Sequence, residues 1–158
     1  MPNVTRAEYA RMTQGTALPV KKRKPIGEGE IMRRKQWEAE MCRLPGIFIP
    51  VQTVNELNAH THWRVRQKRA AAQRPRAKRA VQSYRIAHPI ELPVSVRFTR
   101  YSPGTLDPAD GLPSAFKHII DGMADAFGVD DKSPLYHWLP PIQVKAKYYA
   151  VRIELTSL

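Results

Sequence analysis

The amino-acid sequence predicts a small α/β domain, in which one mixed β-sheet is packed by helices. Residues 92–101 and 148–155 alternate apolar with polar side chains, which is the period of a strand buried on one face. Residues 113–127 place apolar side chains three and four positions apart, which is the period of an amphipathic helix. The predicted order of elements is strand, helix, strand, helix, strand, strand. This order is typical of a sheet with helices on its faces.

The first 45 residues are predicted to form an N-terminal arm, partly helical or flexible, and residues 46–158 to form the domain. Short helices are predicted over 5–12 and 31–44. The segment between them contains "KKRKPIGEGE", which is charged and interrupted by glycine and proline. Such a composition provides little apolar surface for packing.

The domain is predicted to begin with a short strand over 46–51, which is rich in β-branched and aromatic residues. Residues 64–85 are rich in alanine and glutamine and are predicted to be helical, with Pro75 breaking or kinking the helix. Another strand is predicted over 135–139.

The charge of the chain points to a polyanionic partner, of which nucleic acid is the commonest. The chain has 26 Lys and Arg against 14 Asp and Glu, a net charge of +12 and a pI near 10.2. Residues 64–85 contain nine of the basic residues and no acidic one. No base-reading motif is present, so we expect phosphate contacts that follow the shape of the nucleic acid. The candidate phosphate-binding residues are Arg64, Arg66, Lys68, Arg69, Arg74, Arg76, Lys78 and Arg79.

Two aromatic residues flank or lie within this basic stretch. Trp63 and Tyr84 are candidates for stacking on exposed bases, and the alternative is that each ring is half-buried core.

Other classes of partner and site have weaker support in the sequence. No long apolar run, lipidation motif or signal peptide is present, so no membrane association is expected. The single cysteine, Cys42, excludes an internal disulfide and fits a reducing cytoplasm. His60 and His62, combined with Cys42 or His88, match no standard zinc spacing.

All six aspartates of the chain lie in residues 106–131, together with one lysine and no arginine, so this segment has a net charge of −5. Asp107 and Asp110 precede the predicted helix over 113–127, and Asp130 and Asp131 follow it. One interpretation is that the first pair complements the helix dipole and the second lies in a surface turn. The other interpretation is a divalent-metal site.

The metal interpretation has a specific chemistry. Mg²⁺ is a hard cation that binds two or three carboxylates and keeps several waters. Beside a phosphodiester it neutralises negative charge on the phosphorus oxygens and on the leaving oxygen. An EF-hand is excluded, because the twelfth position counted from Asp107 is His118 and not glutamate. A helix over 113–127 is about 22 Å long at ~1.5 Å per residue. Asp110 and Asp131 therefore meet only if the chain folds back after Gly128, or if a second subunit brings them together.

The aspartate segment resembles the signature of the RusA family of Holliday-junction resolvases, especially its bacteriophage-type members. That signature is Asp-x-Asp-Asn, a lysine soon after, an aspartate four residues beyond it, and Asp-Asp after the helix. The matching residues here are Asp107, Asp110, Lys117, Asp121, Asp130 and Asp131. The stretches "VNELNAHTHWRVRQKR" and "YYAVRIEL" also resemble this family, so the resemblance covers roughly residues 47–156.

The resemblance implies a RusA-like, homodimeric fold with Mg²⁺, or Mn²⁺ in its place, as the only cofactor. It implies that Asp107, Asp110 and Asp131 are catalytic carboxylates that bind the metal, and that Lys117 is the catalytic or phosphate-facing lysine. The sequence departs from the family pattern at two places. The first pair of aspartates reads "DPAD", one residue longer than the pattern, and Gly111 stands where the pattern has asparagine.

The sequence therefore predicts a Mg²⁺-dependent endonuclease that cleaves branched DNA, with a role in recombination and repair in a phage or bacterial cytoplasm. The first alternative is a non-catalytic nucleic-acid-binding protein of the same fold, whose metal site has decayed. The second is a basic assembly protein of a phage.

Overall fold

A computed structural model describes residues 26–57 and 62–158. The predicted helix over 5–12 and the residue His60 lie outside these ranges. Contacts divide the chain into Met1–Met32 and Arg33–Leu158. Within the first unit, residues 28–32 form the beginning of a helix that continues into the second. The predicted domain boundary after residue 45 stays a prediction.

The described residues form four helices and five strands. In chain order they are α1 (Glu28–Cys42), β1 (Ile47–Ile49), α2 (Trp63–Ala87), β2 (Val94–Ser102), α3 (Gly111–Ala115), α4 (Lys117–Phe127), β3 (Tyr136–Trp138), β4 (Ile142–Lys145) and β5 (Ala150–Ser157).

The strands form one mixed sheet, which confirms the predicted α/β class. β5 lies between β1 and β2 and is antiparallel to both. β3 and β4 both pair with β2 along its other edge, and both run parallel to it. The sequence predicted four of these strands and missed β4. β4 is only four residues long and follows Pro140 and Pro141, which lack the N–H that a strand donates to its neighbour.

Helices α2 and α4 pack on one face of the sheet. The apolar stripe of α4 brings Ile119 and Met123 into the core, where both are fully buried. Phe98 of β2 stacks on Phe116 with ring centroids 5.1 Å apart. α2 contributes Ala77 and Val81, which are also fully buried.

The C-terminal part of α1 packs on the other face of the sheet. The Trp37 ring lies 5.6 Å from that of Phe48, 6.1 Å from that of Tyr101 and 5.4 Å from that of Tyr148. The Arg152 guanidinium donates to the backbone carbonyl of Met41. Residues 33–42 therefore belong to the same compact unit as the sheet.

Two predicted helices differ in detail from the structure. α2 runs through Pro75 without ending there, although a proline inside a helix costs about 3 kcal/mol. Its inner face buries Gln73, Ala77 and Val81 on either side of the proline, which offsets that cost. The helix predicted over 113–127 is divided at Phe116 into α3 and α4. It ends, as predicted, at Gly128, which has the left-handed conformation (φ 72°).

Gly122 allows α4 to approach α2 closely, and we expect Gly122→Ala to destabilise the fold. A Cβ at this position would lie 2.3 Å from the carbonyl oxygen of Arg74 and 2.7 Å from the Cβ of Ala77. Because the obstacle is backbone, the helices must separate. We expect a loss of about 1–3 kcal/mol in the free energy of unfolding, measured by urea denaturation.

Gly29→Ala is the matched control for this prediction. Gly29 is also helical, but a Cβ there would meet no atom within 4 Å. This change should leave the free energy of unfolding unchanged or raise it by up to about 1 kcal/mol. Equal effects at the two positions would contradict the close contact between α2 and α4.

Candidate functional site

The loop that carries Asp107 and Asp110 leaves the end of β2 and is held by buried polar side chains. The Gly104 carbonyl accepts hydrogen bonds from the Arg100 guanidinium and from the Ser102 hydroxyl. Arg100 is only 5% exposed, and this burial lowers the pKa of its guanidinium. The side chain of Gln143 makes two hydrogen bonds to the backbone of Leu106. Its Oε1 atom accepts from the Leu106 N–H at 2.9 Å, and its Nε2 atom donates to the Leu106 carbonyl at 2.8 Å. The loop is thus fixed on both sides before the first aspartate.

Asn55, in the segment after β1, holds the beginning of α3 from the other side. Its Oδ1 atom accepts from the Ser114 hydroxyl at 2.8 Å and from the Leu57 backbone N–H at 3.0 Å. Its Nδ2 atom lies over Gly111, where an added Cβ would be only 3.1 Å away. The absence of a side chain at Gly111 therefore makes room for the amide of Asn55.

These segments and the first turns of α2 enclose a cavity of about 790 Å³. Asp110 and Lys117 both line this cavity. Asp110 is exposed, and its carboxylate makes no capping hydrogen bond to α3. The other lining residues are Glu56, Leu57, Arg66, Gln67, Ala70, Ala109, Pro113, Ser114 and His118. An acidic, a lysine and an arginine side chain thus share one pocket that also has apolar walls.

Glu56 and His118, which line the cavity, form a polar cluster with Arg69. Both Glu56 oxygens accept from Arg69, at 2.7 and 2.9 Å, and this pairing lowers the pKa of the Glu56 carboxyl. The Nε2 atom of His118 lies 3.6 Å from Glu56, and its Nδ1 atom lies 4.0 Å from Asp121. His118 Nε2 is buried and has no hydrogen-bond partner within the part of the chain that the structure describes. Lys117 pairs with Asp121 at 3.6 Å, the contact that a spacing of four residues on one helix favours.

We expect Glu56→Gln to reduce stability at neutral pH, because it removes the carboxylate charge to which Arg69 donates two hydrogen bonds. The expected loss is about 1.5–3 kcal/mol in the free energy of unfolding, the range for hydrogen bonds to charged groups. Since the pKa of Glu56 is lower in the folded state, this stabilisation is present above the unfolded value and disappears as the pH falls through the folded value. Urea denaturation at pH 7 and in steps from pH 5 to about pH 3 should show the two proteins converging. If the difference in the free energy of unfolding between the two proteins stays constant with pH, the ionised Glu56–Arg69 pair is not the cause of that difference.

Asp131 lies at the other end of α4, in a separate cavity of about 420 Å³. Asp121, Asp125 and Asp130 line the same cavity. The pKa of Asp130 is lowered by the Lys132 backbone N–H, which donates to its carboxylate.

Asp125 pairs with Arg74 in this second cavity. The Arg74 guanidinium donates to both Asp125 oxygens, at 2.6 and 2.8 Å, which lowers the pKa of the Asp125 carboxyl. Asp125 therefore links α4 to α2.

The three predicted metal ligands do not meet within one chain. Asp110 lines the first cavity and Asp131 the second, while Asp107 lines neither and accepts a hydrogen bond from the Ala109 N–H. Over residues 26–57 and 62–158, no three His, Cys, Asp or Glu side chains are grouped so that they could hold a metal ion.

The eight predicted phosphate-binding residues differ in their surroundings. Arg69 and Arg74 pair with carboxylates, and Arg76 donates to the Pro50 carbonyl. Arg66 lines the cavity with Asp110, and Arg64 lies over the Trp63 ring. Lys68 and Arg79 are exposed and Lys78 is partly exposed. The role of these eight residues in binding stays a prediction.

Sequence reasoning missed three residues that line the cavity, Glu56, Ser114 and His118, and also Asn55, which accepts a hydrogen bond from Ser114. They come from segments far apart in the chain, and only the packing of α2 against α4 brings them together. The one available signal was the polar "NEL" directly after the first strand.

No helix of the described residues is long and apolar enough to cross a membrane. Comparison of the chain with protein-family models, with curated proteins and with solved structures finds no match.

Proposed function

We propose that this protein is a homodimeric, Mg²⁺-dependent endonuclease that cleaves branched DNA by phosphodiester hydrolysis, with four-way junctions as the preferred substrate. The observation that supports this best is the cavity shared by Asp110, Lys117 and Arg66 at one end of the basic helix α2. A carboxylate for a metal ion and two cations for a phosphate are the groups that this reaction requires. The motif resemblance to the RusA family supports the same proposal.

The positions of the aspartates bear on the dimer. Asp110 and Asp131 lie at opposite ends of the α3–α4 segment and line different cavities. We propose that Asp131 of one subunit approaches Asp110 of the other, so that a two-fold dimer has two equivalent sites. Each site would then cut one strand, and a junction would receive two symmetric cuts.

Within such a site, Asp110 and Asp131 would hold Mg²⁺, with Asp107 as a further candidate ligand. When bound, the ion supplies positive charge beside the phosphodiester and its leaving oxygen. Lys117 and Arg66 would bind the non-bridging phosphate oxygens. Arg100 and Gln143 would keep the Asp107–Asp110 loop in place.

The alternative function is non-catalytic binding of nucleic acid on the same fold. The placement of Asp110 and Asp131 in separate cavities favours it, because a monomer would then lack a complete metal site. Both proposals require DNA binding, and they differ in whether the DNA is cut.

The test is incubation of the protein with a labelled four-way junction in Mg²⁺ and in EDTA. The expected result is paired cuts at symmetric positions in the presence of Mg²⁺ and no cleavage in EDTA. Junction binding without cleavage in Mg²⁺ or Mn²⁺ would select the alternative. A protein that binds neither the junction nor duplex DNA would exclude both.

A further inference from the structure

We infer that Trp63 and the cavity beside it receive an unpaired nucleobase of the DNA. This inference rests on the proposed function because it takes DNA as the ligand. It adds that the protein recognises an unpaired base of that DNA. An endonuclease or binding protein with this device would favour branch points and single-stranded flaps over continuous duplex.

Trp63 presents its ring to solvent at the first position of α2. The residue is 56% exposed, whereas Trp37 is enclosed by three aromatic rings. The Arg64 guanidinium lies 5.4 Å from the ring centroid of Trp63, and the His62 ring lies 5.7 Å away. The Nδ1 atom of His62 accepts the Arg64 backbone N–H, which fixes this first turn. An exposed indole supported in this way can stack on a base.

Helical spacing places Trp63 directly beside the cavity. Residues three, four and seven positions apart share one face of a helix, so Trp63 lies on the same face as Arg66, Gln67 and Ala70. Those three residues line the cavity, so Trp63 lies one helical turn before the residues that form its wall.

The cavity walls suit the planar apolar face of a base. Leu57, Ala70, Ala109 and Pro113 contribute the apolar part of the lining. Its volume of about 790 Å³ is large enough for a base and its sugar. Arg64 and Arg66 provide positive charge for the phosphates on either side of that base. A base drawn out of a paired stack loses its stacking energy, whereas a base at a branch point has little to lose.

The test compares binding of two DNA molecules, a fully paired duplex and the same duplex carrying a single-stranded flap, both in EDTA. Trp63→Ala should weaken binding of the flap DNA by about 5- to 150-fold, the range for loss of one stacked base. Duplex binding should change by less than about 2-fold, because phosphate contacts are retained. Trp63→Phe should retain most of the affinity for the flap DNA.

Tryptophan fluorescence provides an independent readout. Addition of oligothymidylate should quench the emission of the wild type and of Trp138→Phe, the matched control at a partly exposed tryptophan on the sheet edge. The quenching should be lost in Trp63→Phe.

Equal weakening of flap and duplex binding by Trp63→Ala, or quenching that persists in Trp63→Phe, would overturn the inference. A change in sedimentation with unchanged DNA binding would assign the ring to a protein interface, which also overturns it. Selective loss of flap binding in a protein that never cuts would leave this inference standing and refute the endonuclease proposal.

Discussion

Asp110→Asn and Asp131→Asn are each expected to reduce Mg²⁺-dependent cleavage of a four-way junction by about 100-fold or more. Asparagine keeps the shape of aspartate but removes the negative charge that holds the metal ion. A metal ion contributes several kcal/mol to stabilisation of the transition state, and each 1.36 kcal/mol corresponds to a factor of about ten in rate. Single-turnover cleavage with saturating protein measures the effect without a contribution from binding.

DNA binding by both variants should persist or become tighter, because each change removes a charge that repels phosphate. Asp130→Asn is the matched control. Asp130 lines the same cavity as Asp131, but its carboxylate accepts the Lys132 N–H. If Asp130→Asn abolishes cleavage while Asp131→Asn does not, the ligand has been assigned to the wrong member of the pair. If wild type cuts and both Asp110→Asn and Asp131→Asn cut equally well, the proposed site is wrong.

The sequence predicted most of the fold because the periodic signals are strong in the central elements. Apolar and polar residues alternate in the sequence over 94–99 in β2 and 151–155 in β5, and α4 carries a continuous apolar stripe. β4 was missed because it has only four residues, which directly follow two prolines, and because its pairing with β2 is set by tertiary contacts. The continuity of α2 through Pro75 likewise depends on packing, which a local rule for proline does not include.

The candidate site was predictable only in part, for a related reason. The motif placed Asp110 and Lys117 in one segment, and the structure brings both to one cavity. Glu56 and His118 are polar residues without a local pattern, and their proximity follows from the arrangement of α2, α4 and the segment after β1. The proposed approach of Asp131 to Asp110 requires a second subunit, and local sequence patterns do not describe contacts between subunits.

Mixing the two inactive variants is expected to restore cleavage if the sites are shared between subunits. In a heterodimer of Asp110→Asn and Asp131→Asn, one site carries both substitutions and the other carries neither. Random pairing of equal amounts gives half heterodimers, so about a quarter of all sites should be intact, against almost none in either variant alone. Co-refolding the two variants from denaturant allows the subunits to exchange before the assay.

The products of this mixture are as informative as its rate. Each heterodimer has one intact site, so it should nick one strand of the junction and leave the symmetric strand whole, whereas wild type cuts both. Mixing Asp110→Asn with the double variant Asp110→Asn/Asp131→Asn is the control, because no pairing of those chains gives an intact site. If Asp110 and Asp131 act within one chain instead, no heterodimer of the single variants contains an intact site and mixing restores nothing. Activity that returns in the control mixture would show that Asp110 is not required, whichever way the subunits pair.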